Sequence, residues 1–166
     1  MNATPHARLL IVDDEQRQMT ALCETLNDHG YHTTGFASSK AALAAVEKGK
    51  FDLLLTDLMM PEMDGISLLR AAHDMDSDLV GIVMTGQGTI DSAVEAMKAG
   101  ALDYILKPFK LSVVLPVLSR ALTVRKLRLE NIALEKSVRE RTTELEKANR
   151  ELEFANKELE AFSYSV

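Results

Sequence analysis

The stretch FDLLLTDLMMPEMDG, residues 51–65, decides how this chain folds. It opens with an uninterrupted apolar run at residues 53–55, which is typical of a strand buried on both faces of a parallel sheet. Asp57 follows that run, and Pro61 and Gly65 mark a loop behind it. Open α/β sheets bind ligands at the carboxyl ends of their strands, so Asp57 is either a site residue or the cap of the next helix.

Similar short apolar segments recur along the first two thirds of the chain, and amphipathic segments separate them. This alternation predicts a parallel sheet covered by helices on both faces. Five such units in about 110 residues fit a small doubly wound α/β domain. Gly30, Gly49 and Gly100 stand where helices are expected to end. The predicted strands cover residues 9–12, 31–36, 53–57, 79–85 and 103–106, and the predicted helices cover residues 15–29, 38–46, 66–73 and 89–99.

The pattern changes from about residue 111 onward. Pro116 is expected near the start of a helix, in or close to its first turn, and no Pro or Gly follows it. Heptad spacing then runs for about six repeats, with Asn131 and Arg141 as polar exceptions, which is a coiled-coil signal. The residues predicted to form the seam are Val124, Leu127, Asn131, Leu134, Val138, Leu145, Leu152 and Leu159.

A single helix of this length, roughly 75 Å at 1.5 Å per residue, cannot bury its own seam. A second copy of the chain is the simplest partner, and Asn131 on the seam favours a parallel two-stranded dimer in one register. The alternative is a stalk that only dimerises. We therefore expect one domain at residues 1–124 and a coiled-coil signalling helix at residues 125–166.

Composition excludes several classes of protein. No apolar run approaches the roughly 18 residues of a membrane span, and residues 1–8 lack a signal-peptide pattern, so a cytoplasmic protein without membrane contact is expected. Residues 1–120 hold ten Lys and Arg against sixteen Asp and Glu, and residues 121–166 hold nine of each. This balance argues against a nucleic-acid surface. Cys23 stands alone, which excludes an internal disulfide and a cysteine-rich metal site.

Five polar residues stand at the ends of predicted strands: Asp13 and Asp14, Asp57, Thr85 and Lys107. The ends of parallel strands meet at one edge, so these side chains are expected to converge. Three carboxylates repel one another unless a cation lies between them, and oxygen ligands favour Mg²⁺. A carboxylate nucleophile, a metal, a hydroxyl donor and a lysine indicate phosphoryl transfer.

Other chemistries find little support in the sequence. No spacing in the sequence suggests a catalytic triad built on Ser or Cys, and the four histidines are not spaced like metal ligands. The Gly-Gln-Gly turn at residues 86–88 is too short for a nucleotide-binding loop, and a Walker lysine pattern is absent. A site for ATP is therefore not expected in this chain.

Four motifs in this order resemble the response-regulator receiver domain of two-component signalling: LLIVDDE (9–15), LLLTDLMMPEMDG (53–65), VMTGQGT (83–89) and AGALDYILKPF (99–109). The resemblance covers residues 7–125 and implies a flavodoxin-like sheet of strand order 2-1-3-4-5. It implies a histidine kinase or phosphotransfer protein as phosphodonor. The side chains of Met59 and Gln87 are implied to tune hydrolysis. The resemblance implies that Asp57 is the phosphoacceptor and that Asp14, Asp57 and the carbonyl of Met59 bind Mg²⁺, with Asp13 as an indirect or water-mediated partner. It implies that Thr85 and Lys107 bind the phosphoryl group. Thr85 and Tyr104 are the implied switch pair.

The end of the chain, ELEFANKELEAFSYSV (residues 151–166), resembles the helix that enters the dimerisation domain of histidine kinases. The leading interpretation is therefore the N-terminal fragment of a receiver–histidine-kinase protein, with no separate catalytic domain of its own. A complete receiver and coiled-coil adaptor remains an alternative. So does the receiver part of a regulator with another enzymatic output, such as a nucleotide cyclase or phosphodiesterase; a DNA-binding output is the least expected. Phosphorylation is expected to change the pairing or register of the helices.

Overall fold

A computed structural model describes residues 7–165 of this chain. The first six residues, which lack a signal-peptide pattern, and Val166 lie outside the described residues. The chain divides into two compact units, residues 1–126 and 127–166.

The first unit is built on a five-stranded parallel sheet of order β2-β1-β3-β4-β5, which confirms the predicted doubly wound, flavodoxin-like arrangement. Each predicted strand and helix is present, and the boundaries move by a few residues at most. The elements are β1 (Arg8–Val12), α1 (Gln16–Asp28), β2 (His32–Phe36), α2 (Ser39–Lys48), β3 (Leu53–Asp57), α3 (Gly65–Met75), β4 (Val80–Thr85), α4 (Ile90–Lys98), β5 (Ala101–Leu106) and α5 (Leu111–Tyr164).

The sheet carries an apolar core on each face because alternate side chains of its central strands point in opposite directions. Leu54 lies with the core residues of α2, α3 and α4, whereas its neighbour Leu55 lies with those of α1 and α5. Every residue of β3 and of β4 is buried. This is why the central strands are continuous apolar runs with no polar alternation.

Short polar side chains begin the helices that face the site edge of the sheet. Ser38 accepts a hydrogen bond from the backbone of α2, and Asp64 accepts one of 2.7 Å from Ser67 N at the start of α3. Thr89 and Ser92 form a reciprocal capping box at the start of α4. The cap of α3 is therefore Asp64, which leaves Asp57 free for another role.

Pro116 lies near the start of helix α5, as expected, but not in its first turn. The helix begins at Leu111, where Lys110 O accepts from Val114 N at 3.2 Å, so Pro116 lies past the first turn. Proline has no N–H, and the Ser112 carbonyl therefore lacks its usual helical donor. The segment remains helical because Val114 and its neighbour one turn on, Leu118, are fully buried against the sheet.

The second unit is helical up to Tyr164. Its predicted seam side chains are exposed in the single chain: Leu127 is 57% exposed and Leu145 is 70% exposed. Within residues 7–165, the structure contains no helix of sufficient length and apolarity to span a bilayer.

Candidate functional site

The carboxyl edge of the sheet brings the predicted site residues together. Asp57 and Thr85 are the last residues of β3 and β4, Asp13 and Asp14 follow β1, and Lys107 follows β5. All five line one open groove of about 880 Å³, together with Met59 and Gln87. Since the four strands are parallel, their ends deliver these side chains to one place without any long loop.

Three carboxylates form the centre of this groove. Asp13, Asp14 and Asp57 each offer an oxygen within 4.8 Å of the others. Asp13 and Asp57 are 2% and 7% exposed, whereas Asp14 is exposed. An all-oxygen set with one side open to solvent suits a hard cation such as Mg²⁺, which keeps several waters when it binds. The residues present therefore fit the ion that the sequence predicts.

Lys107 supplies the opposite charge. Its Nζ lies 2.5 Å from Asp13 Oδ2 and 3.4 Å from Asp57 Oδ1, and it donates to Gln18 Oε1 at 3.3 Å. Its backbone N–H donates to Thr85 O at 2.7 Å, which fixes the start of the segment after β5. The ammonium group thus lies beside two of the three carboxylates.

Burial and charge together set the protonation of the site. Burial is the largest influence on Asp57 and raises its pKa; the attraction of Lys107 opposes this, and the repulsion of Asp13 adds to it. Burial alone lowers the pKa of Lys107, but the hydrogen bond and charge of Asp13, with help from Asp57, outweigh it and raise the pKa. Lys107 is therefore held as a cation beside the buried carboxylates.

The loop after β3 is fixed by a close backbone approach. Gly65 N donates to Leu58 O at 2.9 Å, and a Cβ at Gly65 would overlap the carbonyl oxygen of Asp57. The sequence marks Gly65 as a turn residue, but its structural reason is this contact with the backbone of Asp57. In the same loop Glu62 has a φ of 67°, which is uncommon for a residue other than glycine.

The predicted switch pair is split between two places. Thr85 is buried at the groove, and its hydroxyl accepts from Gln87 N at 3.2 Å. Tyr104 is half-buried and does not line the groove; its hydroxyl lies 2.9 Å from Ser92 Oγ. The Thr-x-x-Ser spacing at residues 89–92 signals a helix cap in the sequence. No sequence signal connects Ser92 to Tyr104 or Gln18 to Lys107.

The predicted seam residues are divided between the two units. Val124 is half-buried in the first unit, and Leu127 to Leu159 belong to the second.

Comparison with known proteins agrees with this geometry. Residues 9–119 match the family model described as the response regulator receiver domain. The chain is 41% identical over 111 residues to the transcriptional regulatory protein FixJ of Rhizobium meliloti, covering 67% of this chain and 54% of that protein. It is 37% identical over 134 residues to the C4-dicarboxylate transport transcriptional regulatory protein DctD of Pseudomonas aeruginosa, covering 81% and 29%.

Solved structures give the same result. A CheY-like receiver domain protein of Methanospirillum hungatei superposes with a TM-score of 0.70 at 30% identity, covering 74% of this chain and 98% of that one. The structure described as FixJ-N gives 0.66 at 39% identity, covering 70% and 94%. The chain spans 29% and 54% of the two curated relatives named above. With more than half of its length matched by the family model, this chain belongs to the response regulator receiver domain family.

Proposed function

We propose that this chain accepts a phosphoryl group on Asp57 and transmits the resulting change through its C-terminal helix. The observation that carries the proposal is the buried Asp57 carboxylate, 3.4 Å from Lys107 Nζ and grouped with Asp13 and Asp14. A phosphohistidine of a kinase or phosphotransfer protein is the expected donor, which follows from membership of the family.

The step is a displacement at phosphorus. An Oδ atom of ionised Asp57 forms the new P–O bond while the bond from phosphorus to the donor's nitrogen breaks, and the imidazole leaves with that electron pair. Lys107 already lies beside Asp57 and balances the charge of the transferred group. The Thr85 hydroxyl, at the end of the neighbouring strand, donates to a phosphoryl oxygen.

Asp13, Asp14, Asp57 and the Met59 carbonyl would hold Mg²⁺. When bound, the ion neutralises charge on the phosphoryl oxygens and on the carboxylate cluster. The contribution of the chain itself is to place three oxygen ligands and one lysine around a partly buried acceptor, so that little rearrangement is needed.

Intact mass after incubation with acetyl phosphate and Mg²⁺ tests the assignment. The wild type is expected to gain one phosphoryl group, Asp57→Asn none, and the matched variant Asp64→Asn one, because Asp64 caps α3. Chelation of Mg²⁺ should abolish the gain. A wild type that stays unmodified at every Mg²⁺ concentration would remove the basis of the proposal.

The output is proposed to run through a parallel dimer of the C-terminal helix. Its support is the heptad pattern and the exposure of the seam, for example 63% at Leu134 and 66% at Leu159. Single cysteines at Leu145 and at Thr143, on the outer face, give a matched pair once Cys23 is replaced by Ser. Rapid disulfide formation at position 145 and not at position 143 is expected. An identical cross-linking series with and without phosphate would contradict a change in pairing.

The wider protein is proposed to be a response regulator. The histidine-kinase fragment finds no support among the relatives named here, which are transcriptional regulators. A DNA-binding output elsewhere in a longer protein therefore returns as a candidate, although it was the least expected from the charge pattern. The codons that follow Val166 distinguish the outcomes: a kinase motif with His-Asp within a few residues, another output domain, or a stop codon for an adaptor.

A further inference from the structure

The hydroxyl of Ser92 connects Tyr104 to the start of helix α4. Ser92 Oγ lies 2.9 Å from the Tyr104 hydroxyl, 3.0 Å from Thr89 N and 3.0 Å from Thr89 O. Ser92 N in turn donates to Thr89 Oγ1 at 3.1 Å. A single side chain therefore takes part both in the cap of α4 and in a contact with β5.

Counting protons limits how these bonds are arranged. A serine hydroxyl donates one hydrogen bond and accepts two. When Ser92 gives its proton to Thr89 O, its two lone pairs are open to three donors: Thr89 N, Thr89 Oγ1 at 3.1 Å and the Tyr104 hydroxyl. In that arrangement the contact between Ser92 and Tyr104 has the tyrosine O–H as its donor, and it is the shortest of the three. Loss of either hydroxyl leaves the other without this partner.

Gly88 leaves space for the ring of Tyr104 in this position. A Cβ at Gly88 would lie 3.2 Å from the Tyr104 hydroxyl and 3.3 Å from Tyr104 Cε1, and it would overlap Leu106 Cδ2. The residue just before the Thr89 cap thus has no side chain where the ring lies. Packing and hydrogen bonding hold Tyr104 in one place.

The segment between β4 and α4 is held at both ends. At the groove, Gln87 N donates to Thr85 Oγ1 at 3.2 Å. At the helix, the Thr89–Ser92 cap accepts from Tyr104. Gly88 alone separates Gln87 from the Thr89 cap, so a displacement of Thr85 toward a phosphoryl group on Asp57 would reach the cap through this hydrogen bond and one residue.

We propose that Ser92 is a positioning residue that latches Tyr104 to the start of α4 in the unphosphorylated protein and so opposes phosphorylation of Asp57. The inference rests on the proposed function for its effect on phosphorylation. The latch itself, a Ser92–Tyr104 bond that fixes the tyrosine ring, is independent of any phosphoryl group.

Four variants separate the latch from the helix cap. Ser92→Ala removes the latch and the Ser92 half of the capping box, and Ser92→Thr retains the hydroxyl. Tyr104→Phe removes only the latch, and Thr89→Ala removes only the Thr89 half of the cap. Thermal unfolding confirms that each variant is folded. Initial rates of phosphorylation by acetyl phosphate with Mg²⁺ are then measured by intact mass.

The expected result is a rate that rises roughly two- to tenfold in Ser92→Ala and Tyr104→Phe, the range that one lost hydrogen bond gives. Ser92→Thr should restore the wild-type rate, and Thr89→Ala should remain close to it. Equal acceleration in Thr89→Ala and Ser92→Ala would assign the effect to the cap and overturn the latch.

Fluorine NMR of protein labelled with 3-fluorotyrosine reports on the latch without phosphate. The chain has three tyrosines, and Tyr104→Phe assigns the signal. Ser92→Ala is expected to shift the Tyr104 resonance, and Ser92→Thr to leave it in place. An unmoved resonance in Ser92→Ala refutes the latch. A shifted resonance in a protein that never accepts phosphate would support the latch and contradict the proposed function alone.

Discussion

Leu54 in strand β3 and Leu145 in the C-terminal helix are the same type of residue in opposite environments. Leu54 is fully buried, and Leu145 is 70% exposed. The first belongs to a unit whose helices cover both faces of a sheet. The second belongs to a helix whose apolar positions repeat every heptad and are open to solvent in the single chain.

The difference separates two ways of reaching a stable structure. The first unit buries the apolar side chains of its central strands within one chain, and the site is then fixed by the ends of those strands. In the proposed dimer the second unit pairs with another helix, because a lone helix has no apolar partner for its seam and is stabilised mainly by such packing. Stability in the first unit should be independent of protein concentration, and helix pairing in the second should depend on it.

The largest effect should come from truncation of these two leucines. Leu54→Ala is expected to lower the free energy of unfolding by about 3 kcal/mol at every protein concentration, because it leaves a cavity in the core. Leu145→Ala should cost little at concentrations where the chain is monomeric and more where it is dimeric. Urea unfolding at two concentrations measures both. A loss for Leu145→Ala that does not vary with concentration would break the comparison.

The next effect concerns charge inside the first unit. Lys107→Met leaves Asp13 and Asp57 buried without their cation and should cost about 2 kcal/mol in the absence of Mg²⁺. Lys110→Met is the control, since Lys110 is exposed and should change stability by no more than about 0.5 kcal/mol. Added Mg²⁺ should restore part of the loss. Equal effects of the two variants would show that the carboxylates do not depend on Lys107.

The two units also differ in how much their ion pairs are expected to stabilise them, and this difference is smaller. Asp52 lies 2.9 Å from Arg125 and accepts a 2.7 Å bond from Arg8 N, so Asp52→Asn should cost about 1.5 kcal/mol. Lys136 and Glu140 form an exposed pair at 4.0 Å in the second unit. Glu140→Gln should therefore change stability by no more than about 0.3 kcal/mol. Urea unfolding midpoints measure both changes in stability. A larger loss of stability in Glu140→Gln than in Asp52→Asn would contradict this ranking.

The smallest effect should be a gain. Folding raises the pKa of Asp57, so its ionised form destabilises the folded protein at neutral pH. Without divalent cations, Asp57→Asn should raise the melting temperature at pH 7 by a few degrees. The gain should shrink as the pH falls through the folded-state pKa toward that of the unfolded chain, because the wild-type carboxyl is then protonated too. Melting curves between pH 7 and 4 check the sign, and a gain that grows on acidification would contradict it.

Much of the fold follows from local patterns that need no tertiary information. The apolar run before Asp57 predicts a buried strand, and Gly30 ends α1 with a φ of 88°, as its position suggests. The convergence of Asp13, Asp57 and Lys107 also follows, because a parallel sheet brings strand ends to one edge. Pro116 lies near the start of its helix, as the sequence predicts, but past the first turn, because the local preference of proline does not register the packing of Val114 and Leu118.

The sequence by itself determined the strand order expected of the family, the groove edge on which the carboxylates meet, and the heptad face of the last helix. Only the tertiary structure decided that Lys107 lies closer to Asp13 than to Asp57, that Gly65 makes room for the Asp57 backbone, and that Tyr104 bonds to Ser92. The physical reason is the separation along the chain over which each effect acts. Periodicity and turn chemistry act between near neighbours in the chain, whereas a hydrogen bond of 2.9 Å between β5 and α4 depends on how both elements pack.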